Sequence, residues 1–247
     1  MRTYFDLYCG DCIEVMSGLG PGSISMVLVD PPYGSTNNKW DSIIPLEPMW
    51  EQLNRVCKLN AAMLFTSAEP FTSQLVMSNL KNFKYDIIWE KPIASGQLNV
   101  RSQPLRAHEN IMVFYRKKPT YNEQKMEGKP YKIKRDGLYN ESCYNEQAPS
   151  KKNNTGYRHA RSVLRVSNPR IKGGHPTQKP VKLMEPLISM YTNVGDVVLD
   201  FASGSGTTGE ACINLDRKFI GVELDEYWFN KSQERLNKVV HKMSWVP

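Results

Sequence analysis

The chain has 247 residues, 40% of them hydrophobic, enough for one sizeable α/β domain with a modest insertion, two full domains being a tight fit. It contains no run of about 18 apolar residues, and its start, MRTYFDLYCGD, has neither the apolar stretch nor the cleavage signature of a secretory signal, so a soluble, cytoplasmic protein without a membrane partner is expected. The net charge of +7 suits a polyanionic partner and is unevenly spread: residues 116–172 hold 15 Lys and Arg against 5 Asp and Glu, a net +10 that leaves −3 for the remainder.

In chain order, residues 3–9 predict a strand, 12–19 a short amphipathic helix, and 25–29 a buried strand ending at Asp30. A helix over 48–59, a strand over 61–66 and a helix over 71–80 follow. Residues 85–89 and 110–115 predict two further strands joined by a polar, proline-containing loop. The period then disappears from 116 to 174, which predicts a surface insertion. Alternation resumes with a helix over 183–191, a strand over 197–201, a helix over 208–215, a strand over 219–223 and a last helix from 227 to 240. Such alternation implies a mainly parallel sheet with helices on both faces.

Cys9 and Cys12 form a CxxC, but Cys57, Cys143 and Cys212 are scattered and no second pair completes a metal site, so packing is the expected role and no metal is expected. His108 and Glu109 stand before the strand at 110, where they could act as an acid–base pair or as ordinary loop-end hydrogen-bonding groups.

Asp30-Pro31-Pro32-Tyr33 ends the second strand. Proline keeps Asp30 extended and two fixed rings stiffen the turn, so its carbonyls are aimed. An exocyclic amino nitrogen is a poor nucleophile because its lone pair is delocalised into the base. Two acceptors, here the Asp30 carboxylate and a carbonyl of the Pro31-Pro32 turn, would favour a tetrahedral nitrogen whose lone pair can meet an electrophilic methyl. Tyr33 offers a flat face for a base taken out of the duplex.

Asp200-Phe201-Ala202-Ser203-Gly204-Ser205-Gly206 lies between a strand and a helix, and Glu223 closes the next strand where ribose hydroxyls of an adenosine would lie. Gly204, Gly206 and Gly209 also complete a G-x-G-x-x-G, so a dinucleotide, an S-adenosylmethionine site and a structural tight turn all fit this motif alone. Context favours the second: only 41 residues follow Gly206, and the Asp200 carboxylate would repel a pyrophosphate but attract a cationic amino group.

With these motifs in this order, the chain resembles the β group of DNA amino-methyltransferases, in which the Asp-Pro-Pro-Tyr motif precedes the glycine motif. The resemblance runs from about Tyr8 to Leu236. It implies the Rossmann-like class I methyltransferase fold, entered in permuted order and mainly parallel with one antiparallel strand. Residues 1–115 would be the catalytic half, 116–174 an inserted target-recognition region and 175–247 the cofactor half. It also implies S-adenosylmethionine as cofactor, with Asp11 and Cys12 at its adenine, Thr177 and Lys179 of the His175-to-Pro180 segment at its carboxylate, and Asp200, Phe201, Ala202, Gly204, Gly206, Thr207 and Glu223 around the rest. Ala202 and Ser203 stand where this family often has Gly or Cys. Asp30, Pro31, Pro32 and Tyr33 would be catalytic. Lys39, Arg158, Arg161, Arg165 and Arg170 would contact duplex DNA, Arg being able to bind bidentately. Asp as the first residue of the catalytic motif points to adenine N6, with cytosine N4 the alternative and a non-catalytic DNA-binding subunit a further one. A cognate restriction endonuclease and a second copy of the chain are the other partners the resemblance admits.

Overall fold

The computed structural model describes residues 4–35, 41–135, 150–168 and 177–243. They form two compact units, Met1–Asn122 with Ser162–Pro247, and Glu123–Arg161. In chain order the strands are β1 (Phe5–Cys9), β2 (Ile24–Val29), β3 (Cys57–Ser67), β4 (Phe83–Ser95), β5 (Arg106–Phe114), β6 (Lys125–Glu127), β7 (Tyr131–Arg135), β8 (Ser150–Asn154), β9 (Tyr157–His159), β10 (Val163–Arg165), β11 (Val197–Asp200) and β12 (Lys218–Glu223). The helices are α1 (Cys12–Gly18), α2 (Leu46–Val56), α3 (Phe71–Ser78), α4 (Val181–Tyr191), α5 (Thr207–Asn214) and α6 (Glu226–Met243).

The first unit is built on an eight-stranded sheet in the order β1-β12-β11-β2-β3-β5-β4-β10. Every pairing is parallel except the two made by β5. The late strand β11 thus lies at the centre beside the early strand β2, which is the permuted order expected. All six residues of β2 are buried, as a central parallel strand covered on both faces requires. Val27, Val29, Met63, Phe65, Met112, Phe114 and Leu199 meet Met16 of α1, Trp50 and Leu53 of α2 and Leu75 of α3 in one core cluster. Met26, Leu28 and Val198, one step out of phase, are equally buried and turn to the opposite face, where α4 packs against β2 and α5 lies between α4 and α6.

Several boundaries differ from expectation, β4 running on to Ser95 and β5 beginning at Arg106. Helix α2 stops at Val56 because Cys57 already pairs with Ile24 as the start of β3. The 116–174 segment does not act as one insertion: the Arg116 guanidinium binds the carbonyls of Asn54, at 2.8 Å, and Cys57, at 2.6 Å, while β10 adds to the main sheet beside β4. Glu123–Arg161 forms the second unit, in which the described residues make two antiparallel ribbons, β6 with β9 and β7 with β8. These strands are three to five residues long and mostly polar, and the alternation of Tyr131 and Ile133 with lysines in β7 is too short a pattern for a sequence reading to single out.

Gly209 fixes the seat of α5. A Cβ there would stand 2.7 Å from the Phe219 ring and 2.9 Å from Leu236, so this third glycine serves close approach of helix to sheet.

Candidate active site

In a parallel sheet the loops after the strands gather at the carboxyl edge, and where neighbouring connections part they leave a crevice. Here β2 and β11 are neighbours, with Val27 beside Leu199, so Asp30 and Asp200 emerge from adjacent strand ends. Both line one cavity of about 1480 Å³, together with Asp11, Tyr33, Glu109, Lys179, Gly204 and Glu223.

At one end, the Asp30 carboxylate is enclosed by donors. Tyr33 gives its hydroxyl to Asp30 Oδ1 at 2.8 Å and lies 2.9 Å from Thr66 Oγ1, which also bonds Asp30 Oδ1. Thr66 reaches it because Val29 pairs with Phe65, which sets the end of β3 beside the end of β2. The Tyr33 ring stacks on Phe71 at 5.5 Å. Burial and the Asp30 charge push the Tyr33 phenol well above its ordinary range, so it remains a donor. Asp41, itself buried, takes the backbone N–H groups of Tyr33, Gly34 and Ser35 at 2.8 to 2.9 Å and so pins the turn after the catalytic motif. Its role was unforeseen, although an Asp closing a Gly-containing loop is a recognisable signal.

Lys179 is buried, with its ammonium 2.7 Å from Asp30 and 3.2 Å from Glu109 Oε2. Burial alone would lower its pKa, but Asp30, Tyr33 and Glu109 outweigh burial and raise it, so it is charged. Glu109 is held in turn by Lys91 at 3.0 Å. Of the two readings open for Glu109, its position in this chain of ion pairs goes beyond a loop-end hydrogen bond.

At the other end the glycine turn is held by its own carboxylates. Glu223 accepts from the N–H of Gly204 at 2.7 Å and of Asp225 at 2.9 Å. Gly204 and Gly206 take the left-handed φ values of 51° and 77°, and a Cβ on Gly204 would meet nothing within 4 Å. Asp200 is buried, accepts from Ala202 N–H at 3.2 Å, and is pushed up to about 7 chiefly by burial. The buried Ser203 hydroxyl has no hydrogen-bond partner among the described residues and borders the cavity. An orphaned hydroxyl, one buried and one half-buried carboxylate and an open glycine turn fit a ligand with a cationic end and sugar hydroxyls.

The cavity also brings together Cys12, Pro31, Pro32, Thr177, Phe201, Ala202 and Thr207. Asp11 borders it, but its carboxylate caps α1 by accepting from Ile13 and Glu14 N–H. Phe201 is mainly a core residue, 6.2 Å from Phe65. Gln178, not foreseen, accepts from Ser205 Oγ at 2.8 Å and so ties the 177–180 segment to the glycine turn. Cys9 and Cys12 are free thiols, and burial pushes Cys12 up to about 12. Of the expected DNA contacts, Arg158 is used within its own unit, where it binds Asn154 and the Lys129 carbonyl and stacks over Tyr131. Arg161 and Arg165 are exposed, Arg165 being 3.7 Å from Glu90. Lys39, Arg170 and His175 lie outside the described residues.

These features are those of an enzyme that joins an adenosine-type cofactor to an amino-group acceptor site. The chain belongs to the N6/N4 DNA methylase family, which it matches over residues 24–234. It is 28% identical to the type II methyltransferase M2.MboI of Moraxella bovis, over 95% of this chain and 88% of that one. The crystal structure of the M1.HpyAVI complex with S-adenosylmethionine superposes with a TM-score of 0.64 at 26% identity, covering 94% of this chain and 99% of that one. The PvuII cytosine-N4 DNA methyltransferase shares the fold, with a TM-score of 0.67 at 17% identity over 98% and 93% of the two chains. The protein is therefore a DNA methyltransferase with S-adenosylmethionine as its cofactor. Among the described residues no helix is long and apolar enough to cross a membrane.

The raised Asp200 makes stability depend on pH. Its carboxyl ionises at about 7 in the folded chain against an ordinary 3.8, so the folded state binds the extra proton between these values. The stabilisation is complete below about pH 4 and is lost as pH rises through 7. In cofactor-free protein, Asp200→Asn should flatten the fall in unfolding free energy between pH 5 and pH 8, by at most about 3 kcal/mol. Chemical denaturation across that range checks this, and parallel curves for the two proteins would contradict it.

Proposed function

We propose that the protein transfers a methyl group from S-adenosylmethionine to N6 of adenine in duplex DNA, with the target base flipped into the cavity beside Tyr33. The observation that carries this reading is Asp30, rigidly held at the carboxyl end of β2 in the same cavity as the glycine turn. The cofactor supplies an electrophilic methyl on sulfonium sulfur. When bound, it would give that methyl to the amino nitrogen, its sulfur keeping the electron pair of the S–C bond, and the nitrogen would lose one proton to solvent. Asp30 and a carbonyl of the Pro31-Pro32 turn each accept one amino hydrogen, directing the nitrogen lone pair toward the methyl. Asp200 and Glu223 would hold the cofactor's amino group and ribose, with Gly204 and Thr207 lining its bed and Thr177 near its carboxylate, while the expected Gly206 faces Ser232 instead of the cavity. Tyr33 stacks on the base.

Adenine is favoured over cytosine N4 by Asp, in place of Ser, at the head of the catalytic motif. Both bases carry an amino group beside a ring nitrogen, so the acceptor geometry alone does not choose between them. Nucleoside mass spectrometry of unmethylated genomic DNA treated with the enzyme should find N6-methyladenine. N4-methylcytosine without N6-methyladenine would overturn the base assignment, and unmodified DNA would favour a non-catalytic DNA-binding subunit.

The basic segment supplies the DNA contacts, with Arg161 and Arg165 the stronger candidates because Arg158 is engaged within its own unit. Neutralised phosphates release counterions, so each lost contact flattens the salt dependence of binding. Replacing Arg161 and Arg165 by Ala should weaken DNA binding and reduce the slope of log K against log salt by about 2, while S-adenosylmethionine affinity is kept. Filter binding at several salt concentrations measures this, and an unchanged slope would contradict it.

A further inference from the structure

The acceptor sites of Asp30 are nearly full. Oδ1 takes the Tyr33 and Thr66 hydroxyls, and the Lys179 ammonium lies 2.7 Å from each carboxylate oxygen. A carboxylate offers about four lone-pair sites, so an arriving amino group must compete with Lys179 for Oδ2. An ammonium with a single buried carboxylate partner would stay astride it, because the low local dielectric strengthens the pair.

Lys179 has a second carboxylate within reach. Glu109 Oε2 is 3.2 Å from its nitrogen, is buried, and makes no hydrogen bond among the described residues, while Glu109 Oε1 is anchored by Lys91. The result is a row of alternating charge, Asp30, Lys179, Glu109 and Lys91, in which one acceptor stands ready beside a shared cation.

We propose that Glu109 is a positioning residue for methyl transfer: when the amino group of the base reaches Asp30, the Lys179 ammonium shifts its hydrogen bond from Asp30 Oδ2 to Glu109 Oε2, which frees Oδ2 to accept the amino hydrogen. The Lys91 contact fixes Glu109 so that the exchange needs a small movement of Lys179 alone. The charges stay paired on both sides of the exchange, so no buried charge is stranded. This role rests on the proposed part of Asp30 as the amino-group acceptor.

The test compares wild type, Glu109→Gln, Glu109→Asp and Asp30→Ala, using tritiated S-adenosylmethionine and unmethylated genomic DNA. Glu109→Gln keeps the shape but removes the charge that draws Lys179 away. It should lose about 10- to 100-fold in kcat, as misplacement of a reacting contact does. Cofactor Kd, KM for DNA and thermal midpoint should stay close to wild type, and Glu109→Asp should recover part of the rate. Wild-type kcat in Glu109→Gln overturns the proposal. So does a loss of rate that comes with weakened cofactor binding and a lowered thermal midpoint and is not recovered by Asp, since that is the behaviour of a structural residue. Full activity in Asp30→Ala would instead overturn the role of Asp30, which separates the two failures.

Discussion

The buried ammonium of Lys179 is the constraint around which the catalytic end of the cavity is organised. A charge out of water must be met by opposite charge and hydrogen bonds or it will not stay ionised, and Lys179 meets this with Asp30 and Glu109. The requirement draws together the end of β2, the strand β5 and the 177–180 segment. Asp30 and Lys179 are 149 positions apart in sequence. The hydroxyls of Tyr33 and Thr66, raised or held as donors by the same charges, then complete a carboxylate whose position is fixed from several sides. A group that must accept a hydrogen from a reluctant nucleophile benefits from such preorganisation, because little reorganisation remains for the reaction itself.

The opposite end of the cavity uses burial differently. Asp200 has no cation of its own among the contacts that shift it, and burial holds its carboxyl near neutrality. A ligand bearing a positive charge would supply what the folded chain lacks, which makes the site selective for a cationic cofactor and costs stability in its absence. A pyrophosphate would worsen the imbalance. The third glycine of the dinucleotide-like pattern is explained by packing, since Gly209 lies against Phe219 and Leu236.

Much of this was legible in the sequence. The buried run at β2, the glycine turn after β11 and the carboxylate at the end of each strand are local signals. The family resemblance supplied the permuted strand order, which alternation alone could not. What was hidden depends on distant pairing. Glu109 joins Lys179 only because β5 runs antiparallel between β3 and β4, and Asp41 reads as an ordinary loop residue until three backbone amides are seen on it. Arg158 was expected at the DNA, yet its guanidinium binds Asn154 and the Lys129 carbonyl and stacks over Tyr131 within its own unit. The ribbons leave little trace because their strands are short and mostly polar, with only a brief alternation in β7.

The central claim is that Asp30 acts on the nucleophile and leaves cofactor binding to the other end of the cavity. Single-turnover methyl transfer from a preformed complex of enzyme with S-adenosylmethionine separates these directly. Asp30→Ala should bind S-adenosylmethionine as wild type does and transfer its methyl group to DNA about 100-fold more slowly or worse, the loss expected for a deleted transition-state hydrogen-bonding group. An unchanged transfer rate, or a rate loss wholly accounted for by weaker cofactor binding, would contradict the account.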